Sequence, residues 1–385
     1  RIALATIRII GTSRQKIMLG FMVATGFLSM WTSNNSTTLM MLPIGLAILD
    51  REQKLGSDVS LFGPGLMLSI AYSASIGGVG TLVGTPPNLV FVSTLKEVFP
   101  ESPDILFLDW LKIGIPFVLL FLPITWFYLI VFFKVSGNLQ GSSDIIEKEY
   151  SSLGPMSLAE KKVSLVVFFY ALGFIFRGWW SDLIGVSGFA KDSTVALFAA
   201  LLLFSISSGK KNNQGKTLRL LDWEDAKNVP WGIAMLIGGG LAIASSFRSS
   251  GLISWIGDNI NLDGVPIFLI VLLVVFSMVF LTEINSNTAS TAIFLPVLAG
   301  LSKSGAFHPF LLMVPATIAA SCAFMLPSGT GPNASVLASG KLSIPVMARA
   351  GFGLNILSIV VITILIYAIV LPVFGISGSL PSWAH

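Results

Sequence analysis

Apolar runs long enough to cross a membrane recur along the whole chain, and this feature constrains the fold more than any other. A helix needs about 20 apolar residues to cross about 30 Å of hydrocarbon. Such runs lie near residues 17–31, 64–83, 111–133, 163–177, 193–207, 231–246, 266–281, 309–326 and 352–374. Only 11% of the 385 residues are charged, against about 25% in a soluble chain, so most of the surface must face lipid.

The backbone selects the fold class. Amide and carbonyl groups in lipid must be paired, so only helices and closed barrels span a bilayer. The runs are continuous and lack the strict alternation of barrel strands. The sequence therefore predicts an all-α, polytopic protein embedded in the lipid bilayer.

The charged residues indicate the membrane topology, and the scarcity of Cys and His argues against some kinds of site. The formal net charge is +4, and Lys and Arg lie in connections, which indicates membrane topology and not a nucleic-acid surface. The positive-inside rule places segment 1–16 in the cytoplasm. Its pattern predicts an amphipathic arm at the membrane surface, with a plain cytoplasmic connection as the alternative. A single cysteine, Cys322, and two histidines favour neither a disulfide nor a zinc or haem site.

Two polar motifs occur in each half of the chain. Residues 29–43 read SMWTSNNSTTLMMLP and residues 282–296 read TEINSNTASTAIFLP. Without a gap, they align a leading hydroxyl, a Ser-Asn pair, later hydroxyls and a closing Leu-Pro. Residues 84–88, GTPPN, follow the first motif much as residues 329–333, GTGPN, follow the second. Each half therefore carries two polar breaks inside apolar runs.

These breaks indicate a binding site. Proline removes a backbone donor, and freed carbonyls in lipid need partners, so such breaks are tolerated where they line a cavity. Matching interruptions in two halves of a membrane protein mark a transporter's site near the midplane. The chain divides accordingly into the arm 1–16, a first repeat 17–134, connecting loops and middle helices 135–230, and a second repeat 231–385.

The residue types predict an anion bound together with cations. The breaks contain amides and hydroxyls but no Lys or Arg. Amides, hydroxyls and helix N-termini donate to carboxylate oxygens. A neutral lining cannot neutralise a multiply charged anion, whose desolvation is costly. Freed carbonyls and hydroxyls are hard oxygen ligands that alkali cations accept.

The four motif occurrences resemble the divalent anion/sodium symporter family, and the resemblance covers the chain from Arg1 to the last apolar run. It implies two inverted repeats, each with a re-entrant hairpin and a broken transmembrane helix. It also implies a homodimer in the plasma (inner) membrane, an elevator-type movement, and about three further helices upstream. The expected upstream helices agree with a chain that begins at Arg1 and not at Met.

The resemblance also implies ligands, position by position. The coupling ions, Na⁺, would be held by hydroxyls, amides and backbone carbonyls of Ser29, Ser33, Asn34, Gly84, Thr282, Asn285, Asn287 and Gly329. The substrate carboxylates would be held at the hairpin tips and turns by Asn34, Asn35, Thr85, Pro86, Asn287, Thr288, Thr330 and Gly331. Two positions depart from the family pattern. Asn35 stands where the family usually has Thr, and an amide in place of a hydroxyl changes the donor geometry. Gly331 stands where the first turn has Pro86, and we expect the glycine to loosen a wall of the site. We expect both changes to alter substrate selectivity.

Several residues have structural alternatives. Asn34 and Asn287 could cap helices, although matching positions beside matching breaks favour a site. We expect a group of hydroxyls to bond back to helix carbonyls, namely Thr37, Thr38, Ser290 and Thr291. Glu283 lies at membrane depth, where a carboxylate is a functional candidate. We favour a structural role for it, bonding the hairpin backbone, over proton coupling.

Three functions remain open. The leading one is sodium-coupled symport of di- or tricarboxylates of the succinate, malate, fumarate and citrate class. The second is a sodium-independent carboxylate exchanger, or a carrier of sulfate or another divalent anion, with the same fold. The third is a membrane enzyme or channel. An enzyme is disfavoured because the apolar runs contain no His-Glu, Ser-His or Asp-Asp pair, and a channel because it would not require two inequivalent copies of a closed polar site.

Overall fold

A computed structural model describes most of the chain. The described residues are 1–11, 13–139, 147–148, 150–186, 190–211, 217–227, 231–252, 255, 259, 264–376 and 378–384. Parts of the predicted connecting region 135–230 lie outside these ranges. The described chain is mostly helical.

The helices of the first half precede residue 133. They are α1 (Ile2–Ile10), α2 (Arg14–Ser29), α3 (Asn34–Lys54), α4 (Phe62–Gly78), α5 (Pro86–Val98) and α6 (Phe107–Phe132). The middle of the chain contains α7 (Leu158–Ile175), α8 (Arg177–Leu183), α9 (Asp192–Ser205), β1 (Ser207–Lys211), β2 (Thr217–Arg219) and α10 (Trp223–Ala226).

The second half begins at residue 231. It contains α11 (Trp231–Ser249), α12 (Ile267–Ile284), α13 (Asn287–Ser304), α14 (Phe310–Ala320), α15 (Gly331–Ala338), α16 (Ile344–Leu365) and α17 (Leu371–Phe374). A short π-helical segment, Ile366–Val370, joins the last two, and a 3₁₀ turn, Ser382–Ala384, follows.

Three helices are long and apolar enough to cross a membrane among the described residues: Phe107–Phe132, Ile267–Ile284 and the continuous Ile344–Phe374. A further apolar pair, α7 and α8, is bent by 80° at its break. The prediction of a helical polytopic membrane protein is confirmed at this level. It missed one element, the small antiparallel hairpin of β1 and β2.

The chain divides into two compact units. One comprises Arg1–Asp104, Leu111–Tyr150 and Met235–His385, and therefore contains all four sequence motifs. The other comprises Ile105–Trp110 and Ser151–Ala234. In the latter, α7, α8 and α9 surround an apolar cavity of about 410 Å³.

The core of the motif-bearing unit is built on α4 and α14. Every residue of α14 is buried, as is nearly every residue of α4, which is expected for helices that are apolar on all sides. The helix α4 packs against α2 and α15, while α14 packs against α12 and α13. Each half thus places a buried helix directly before its Gly-Thr turn.

Local sequence explains where these helices begin and end. Ser13 and Ser33 cap α2 and α3, each accepting a backbone N–H three residues later, as N-cap serines do. Pro86 is the first residue of α5, where its missing N–H costs nothing and its fixed φ suits the helix.

The first helix, α1, packs against α2 and buries Ala3, Leu4 and Ile7. The Ile7 Cα lies 3.1 Å from where a Cβ on Gly20 would stand. The predicted amphipathic helix is therefore present over Ile2–Ile10, and α2 begins at Arg14, inside the predicted arm 1–16. Its position at a membrane surface stays a prediction.

A close approach between α2 and α4 gives the first testable prediction. A Cβ on Gly77 would overlap the carbonyl oxygen of Gly26, so Gly77→Ala forces the two backbones apart. Overpacking of this kind costs about 1–3 kcal/mol. We expect a clear fall in the melting temperature of the purified protein in detergent.

The matched control is Gly63→Ala in the same helix. The nearest atom to a Cβ there is a Leu49 methyl at 3.6 Å, an ordinary contact, and alanine has the better helix propensity. We expect its melting temperature to equal or exceed that of the parent. Equal melting of both variants would contradict the close helix contact.

Candidate functional site

The first Ser-Asn motif folds into a cluster of oxygen atoms. Ser29 ends α2 and Asn34 begins α3, with a four-residue turn between them. The Ser29 Oγ lies 2.7 Å from Asn34 Oδ1 and 2.7 Å from the Ala74 carbonyl oxygen. One hydroxyl hydrogen is thus shared between two acceptors, so the three oxygens form an electronegative cluster.

The second motif repeats this geometry. Thr282 lies in the last turn of α12 and Asn287 begins α13. The Thr282 Oγ1 lies 2.6 Å from Asn287 Oδ1 and 2.9 Å from the Ala320 carbonyl oxygen. Again one hydrogen serves three oxygens. A hydroxyl, an amide and the carbonyl of a buried helix therefore meet in both halves.

The glycines of the two turns lie close to the backbone carbonyls of Ser29 and Thr282. A Cβ on Gly84 would stand 3.0 Å from the Ser29 carbonyl oxygen. A Cβ on Gly329 would stand 3.3 Å from the Thr282 carbonyl oxygen. We call the oxygens of Ser29, Asn34 and Ala74 the first cluster, which has Gly84 beside it. The oxygens of Thr282, Asn287 and Ala320 are the second cluster, which has Gly329 beside it.

Two of the predicted cation ligands have other surroundings. The Ser33 hydroxyl accepts from the Ser36 N–H at 3.2 Å and donates to the Ser36 hydroxyl at 2.8 Å, so it caps α3. Asn285 is exposed at the end of α12, and its N–H donates to the Leu281 carbonyl. The backbone carbonyl of Asn285 stays the predicted ligand there.

The asparagines of the clusters are not helix caps. Ser33 and Ser286 occupy the N-cap positions, and Asn34 and Asn287 follow as first helical residues. Both asparagines are half-buried. Each Oδ1 accepts from a cluster hydroxyl, while neither Nδ2 donates to a described residue. Two amide N–H₂ groups therefore face away from the oxygen clusters and can donate to an anion.

The nearby hydroxyls divide between two roles. Thr38 and Thr291 donate to the carbonyls of Asn34 and Asn287, at 2.9 and 2.7 Å, which confirms the prediction for these two. Thr37 instead pairs with the Thr32 hydroxyl at 2.6 Å, so the prediction for Thr37 was wrong. The buried Ser290 hydroxyl has no partner in the described ranges, so the prediction for it was wrong.

A second asparagine in each half fixes the backbone conformation of the chain break through hydrogen bonds. Asn88 Nδ2 donates to the carbonyls of Gly78 and Thr81, at 3.2 and 2.7 Å. Asn333 Nδ2 donates to those of Ala323 and Leu326, at 3.1 and 3.0 Å. Both side chains are fully buried. They pair one carbonyl at the end of α4 and three in the breaks that follow α4 and α14, and carbonyls of a segment in lipid need such partners.

Glu283 braces the second break only. Its carboxylate accepts the backbone N–H groups of Phe324, Met325 and Leu326 at 2.7–2.9 Å, and the Asn355 amide at 2.8 Å. All four donors are N–H groups, which supports the structural role expected for this residue. The matching position of the first half is Met30, whose carbonyl accepts instead from the Thr81 hydroxyl at 2.5 Å.

The predicted substrate ligands lie at the starts of four helices. Asn34 and Asn35 begin α3, Pro86 begins α5, Asn287 and Thr288 begin α13, and Gly331 begins α15, with Thr85 and Thr330 as N-caps. The helix α3 packs against α15, and α13 packs against α5. The structure thus packs the helix that follows the Ser-Asn motif of each half against the helix that follows the Gly-Thr turn of the other half.

Sequence reasoning missed several groups that build the site. The carbonyls of Ala74 and Ala320 could not be found from the sequence because every residue has a carbonyl. Asn355 had a usable signal, since a buried asparagine inside a long apolar helix is a candidate by its position. Tyr72 links the halves by donating to the Phe324 carbonyl at 2.7 Å.

The contacts of Glu283 generate a prediction. Glu283→Gln keeps the shape but replaces an acceptor oxygen with an N–H₂ group, so a buried N–H of residues 324–326 loses its partner. An unpaired buried donor costs about 1–3 kcal/mol, and we expect a lower melting temperature. Glu101→Gln, at an exposed position, is the control. If Glu283 only carried a proton, Glu283→Gln would not lower the stability of the fold. An unchanged melting temperature would therefore contradict the bracing role.

The carbonyls that Asn88 and Asn333 bind at the two breaks give a further testable prediction. Asn88→Asp and Asn333→Asp turn the donor toward two carbonyls into a buried anion, at a cost of about 3–5 kcal/mol. We expect either variant to yield little folded protein by size-exclusion chromatography. Asn138→Asp, on an exposed loop, should behave like the parent. Well-folded protein from both buried variants would refute the assigned amide orientation.

The chain matches known proteins over nearly all its length. Residues 1–375 match the family model described as the sodium:sulfate symporter transmembrane region. The sodium-dependent dicarboxylate transporter SdcS of Staphylococcus saprophyticus is 43% identical over 99% of this chain and 74% of that protein. SdcS of Staphylococcus aureus is 42% identical over the same shares. The chain therefore belongs to the sodium:sulfate symporter family.

Proposed function

We propose that this protein is a secondary active transporter that couples sodium to the uptake of di- or tricarboxylates of the succinate, malate, fumarate and citrate class. The observation that carries the proposal is the pair of matching oxygen clusters, each with one hydroxyl hydrogen directed at two acceptor oxygens. The relatives named sodium-dependent dicarboxylate transporter support the same ion and substrate class. The protein is a transporter and not an enzyme.

The clusters suit sodium. Hydroxyl, amide and carbonyl oxygens are hard ligands, and each cluster has more acceptor oxygens than hydrogens to satisfy them. A cation at that position would replace the shared hydrogen as the partner of the free lone pairs. Ser29, Asn34 and Gly84 would hold one sodium ion, and Thr282, Asn287 and Gly329 the other, with carbonyls of Ser33 and Asn285 nearby in sequence.

The charge balance links the cations to the anion. Within the described ranges, no Lys or Arg side chain is buried, and the buried Glu283 carboxylate is already satisfied by four N–H donors. A dicarboxylate with two negative charges would enter a neutral lining at a large desolvation cost. Two sodium ions would offset that charge, which explains why transport of the anion requires sodium.

Anion contacts come from the helix starts. The free amide groups of Asn34 and Asn287 can each donate to one carboxylate, and N-terminal N–H groups of four helices add donors and positive dipole ends. Asn35 and Thr288 follow these asparagines, and the turns of Thr85-Pro86 and Thr330-Gly331 lie beside them. This arrangement supports two carboxylate positions, one per half.

The architecture completes the proposal. The repeats 17–134 and 231–385 are inverted copies, each with a re-entrant hairpin, α2–α3 or α12–α13, and a broken helix, α4–α5 or α14–α15. The protein forms a homodimer in the plasma membrane lipid bilayer. Its motif-bearing part moves as an elevator past the remainder. The matching hydrogen bonds of the two halves support the repeats, and the dimer and elevator follow the family resemblance.

A second candidate is transport of sulfate or another divalent anion, because the family description names sulfate. A sodium-independent exchanger is the remaining alternative. The deciding experiment is uptake of labelled succinate by the full-length protein in liposomes, with and without an inward sodium gradient, competed by citrate and sulfate. We expect sodium-dependent uptake. Uptake that ignores sodium but requires internal carboxylate would overturn symport in favour of exchange.

The free amides generate the mutational prediction. Asn34→Ala and Asn287→Ala each remove a cation-facing oxygen and an anion-facing N–H₂ group. We expect uptake to fall to the background of empty liposomes, with normal insertion and yield. The control Asn138→Ala changes an exposed loop asparagine and should transport normally. Normal uptake by both cluster variants would remove the proposed site.

A further inference from the structure

The long apolar helix α6 touches the first chain break backbone to backbone. Gly114 lies in α6 and is buried. A Cβ on Gly114 would stand 2.6 Å from the carbonyl oxygens of both Val79 and Gly80, which belong to the break between α4 and α5. Peptide oxygens cannot rotate away as the free end of a side chain can. Glycine at position 114 therefore allows an approach that no larger residue would permit.

The residue before these two carbonyls contacts the first cluster. A Cβ on Gly78, the last residue of α4, would stand 2.4 Å from Asn34 Oδ1, and this oxygen accepts the Ser29 hydroxyl at 2.7 Å. Gly84, at the other end of the break, lies beside the Ser29 carbonyl. Three successive residues, 78–80, therefore connect α6 to the cluster oxygens.

The second half has a matching contact. A Cβ on Gly351, in the long apolar helix α16, would overlap the Phe324 carbonyl oxygen and stand 2.5 Å from the Met325 Cα. These two residues lie in the break between α14 and α15. In both halves, a spanning helix thus places a glycine directly on the backbone of its own break. The recurrence supports a role at the site and not only in general packing.

The first break depends more on this contact than the second. The second break is also braced by the Glu283 carboxylate, which accepts three backbone N–H groups. The first half has Met30 at the matching position, and a methionine side chain cannot replace a carboxylate as an acceptor. Its break is held by the Asn88 amide and the Thr81 hydroxyl. Packing against α6 therefore contributes a larger share of what fixes residues 79–80.

We propose that Gly114 is a positioning residue for the first sodium site. By letting α6 pack on residues 79–80, it fixes the break, and the break fixes the oxygens of Asn34 and Ser29 around the ion. The inference rests on the proposed sodium symport and assigns control of its first ion site to a residue outside all four motifs. Groups that orient metal ligands change metal affinity by about 10–100-fold when they are altered.

The test is the sodium dependence of Gly114→Ala. The added methyl must displace residues 79–80 or α6, so the cluster oxygens lose their fixed spacing. We expect the half-saturating sodium concentration for succinate uptake by the full-length protein in liposomes to rise about ten-fold. The maximal rate at saturating sodium should change little. Titrating sodium against the melting temperature in detergent should show the same shift without any transport step.

A control separates positioning from general loss of stability. Gly173→Ala overpacks α7 against the Val195 side chain of α9, 2.9 Å from the new Cβ, in the compact unit that contains none of the four motifs. We expect its half-saturating sodium concentration to equal that of the parent. An equal rise in Gly173→Ala and Gly114→Ala would overturn the inference.

A second variant keeps the test decisive if Gly114→Ala does not fold. A Cβ on Gly80 would meet the Met30 side chain and the Gly77 carbonyl oxygen at 3.0 Å, a milder overlap within the same break. Gly80→Ala should raise the half-saturating sodium concentration several-fold. Parental sodium dependence in a folded Gly114→Ala, or failing that in Gly80→Ala, would overturn the inference. Uptake by the parent that ignores sodium would instead overturn the proposed function.

Discussion

The structure depends on pairing the backbone groups that are left free where its buried helices stop. The helices α4 and α14 end inside the protein, where no water can satisfy their last carbonyls. Asn88 binds the carbonyl of Gly78, the last residue of α4, and that of Thr81 in the break after it. Asn333 binds the carbonyls of Ala323 and Leu326 in the break after α14. The turns that follow can then hold Gly84 and Gly329 against the carbonyls of Ser29 and Thr282. Without this pairing, the backbone of the turns would not be held in a fixed position beside the oxygen clusters.

Much of the site could be predicted because its residues are local repeats. The interval between Ser29 and Asn34 recurs between Thr282 and Asn287, and a helix–turn–helix of that length brings the two side chains together in both halves. The helical membrane fold followed from apolar runs and scarce charge. These features are encoded in short stretches, where composition and spacing are sufficient.

The rest depends on contacts between distant parts of the chain. The sequence contains no signal that the Asn35 side chain lies beside Gly331, because the two residues are far apart in the chain and neither motif predicts the other's neighbours. The Ala74 and Ala320 carbonyls joined the clusters only through helix packing. The β1–β2 hairpin was missed because its strands are short, polar and not alternating, so they resemble a connecting loop.

The bond from Tyr72 to the Phe324 carbonyl has a mechanical consequence. Tyr72 shares α4 with Ala74, whose carbonyl belongs to the first oxygen group, while the N–H of Phe324 is held by Glu283, next to Thr282. Two hydrogen bonds, Tyr72 to Phe324 and Phe324 to Glu283, together with short backbone segments, therefore connect the two breaks. Any free-energy coupling that these contacts carry between the two breaks must act equally in both directions.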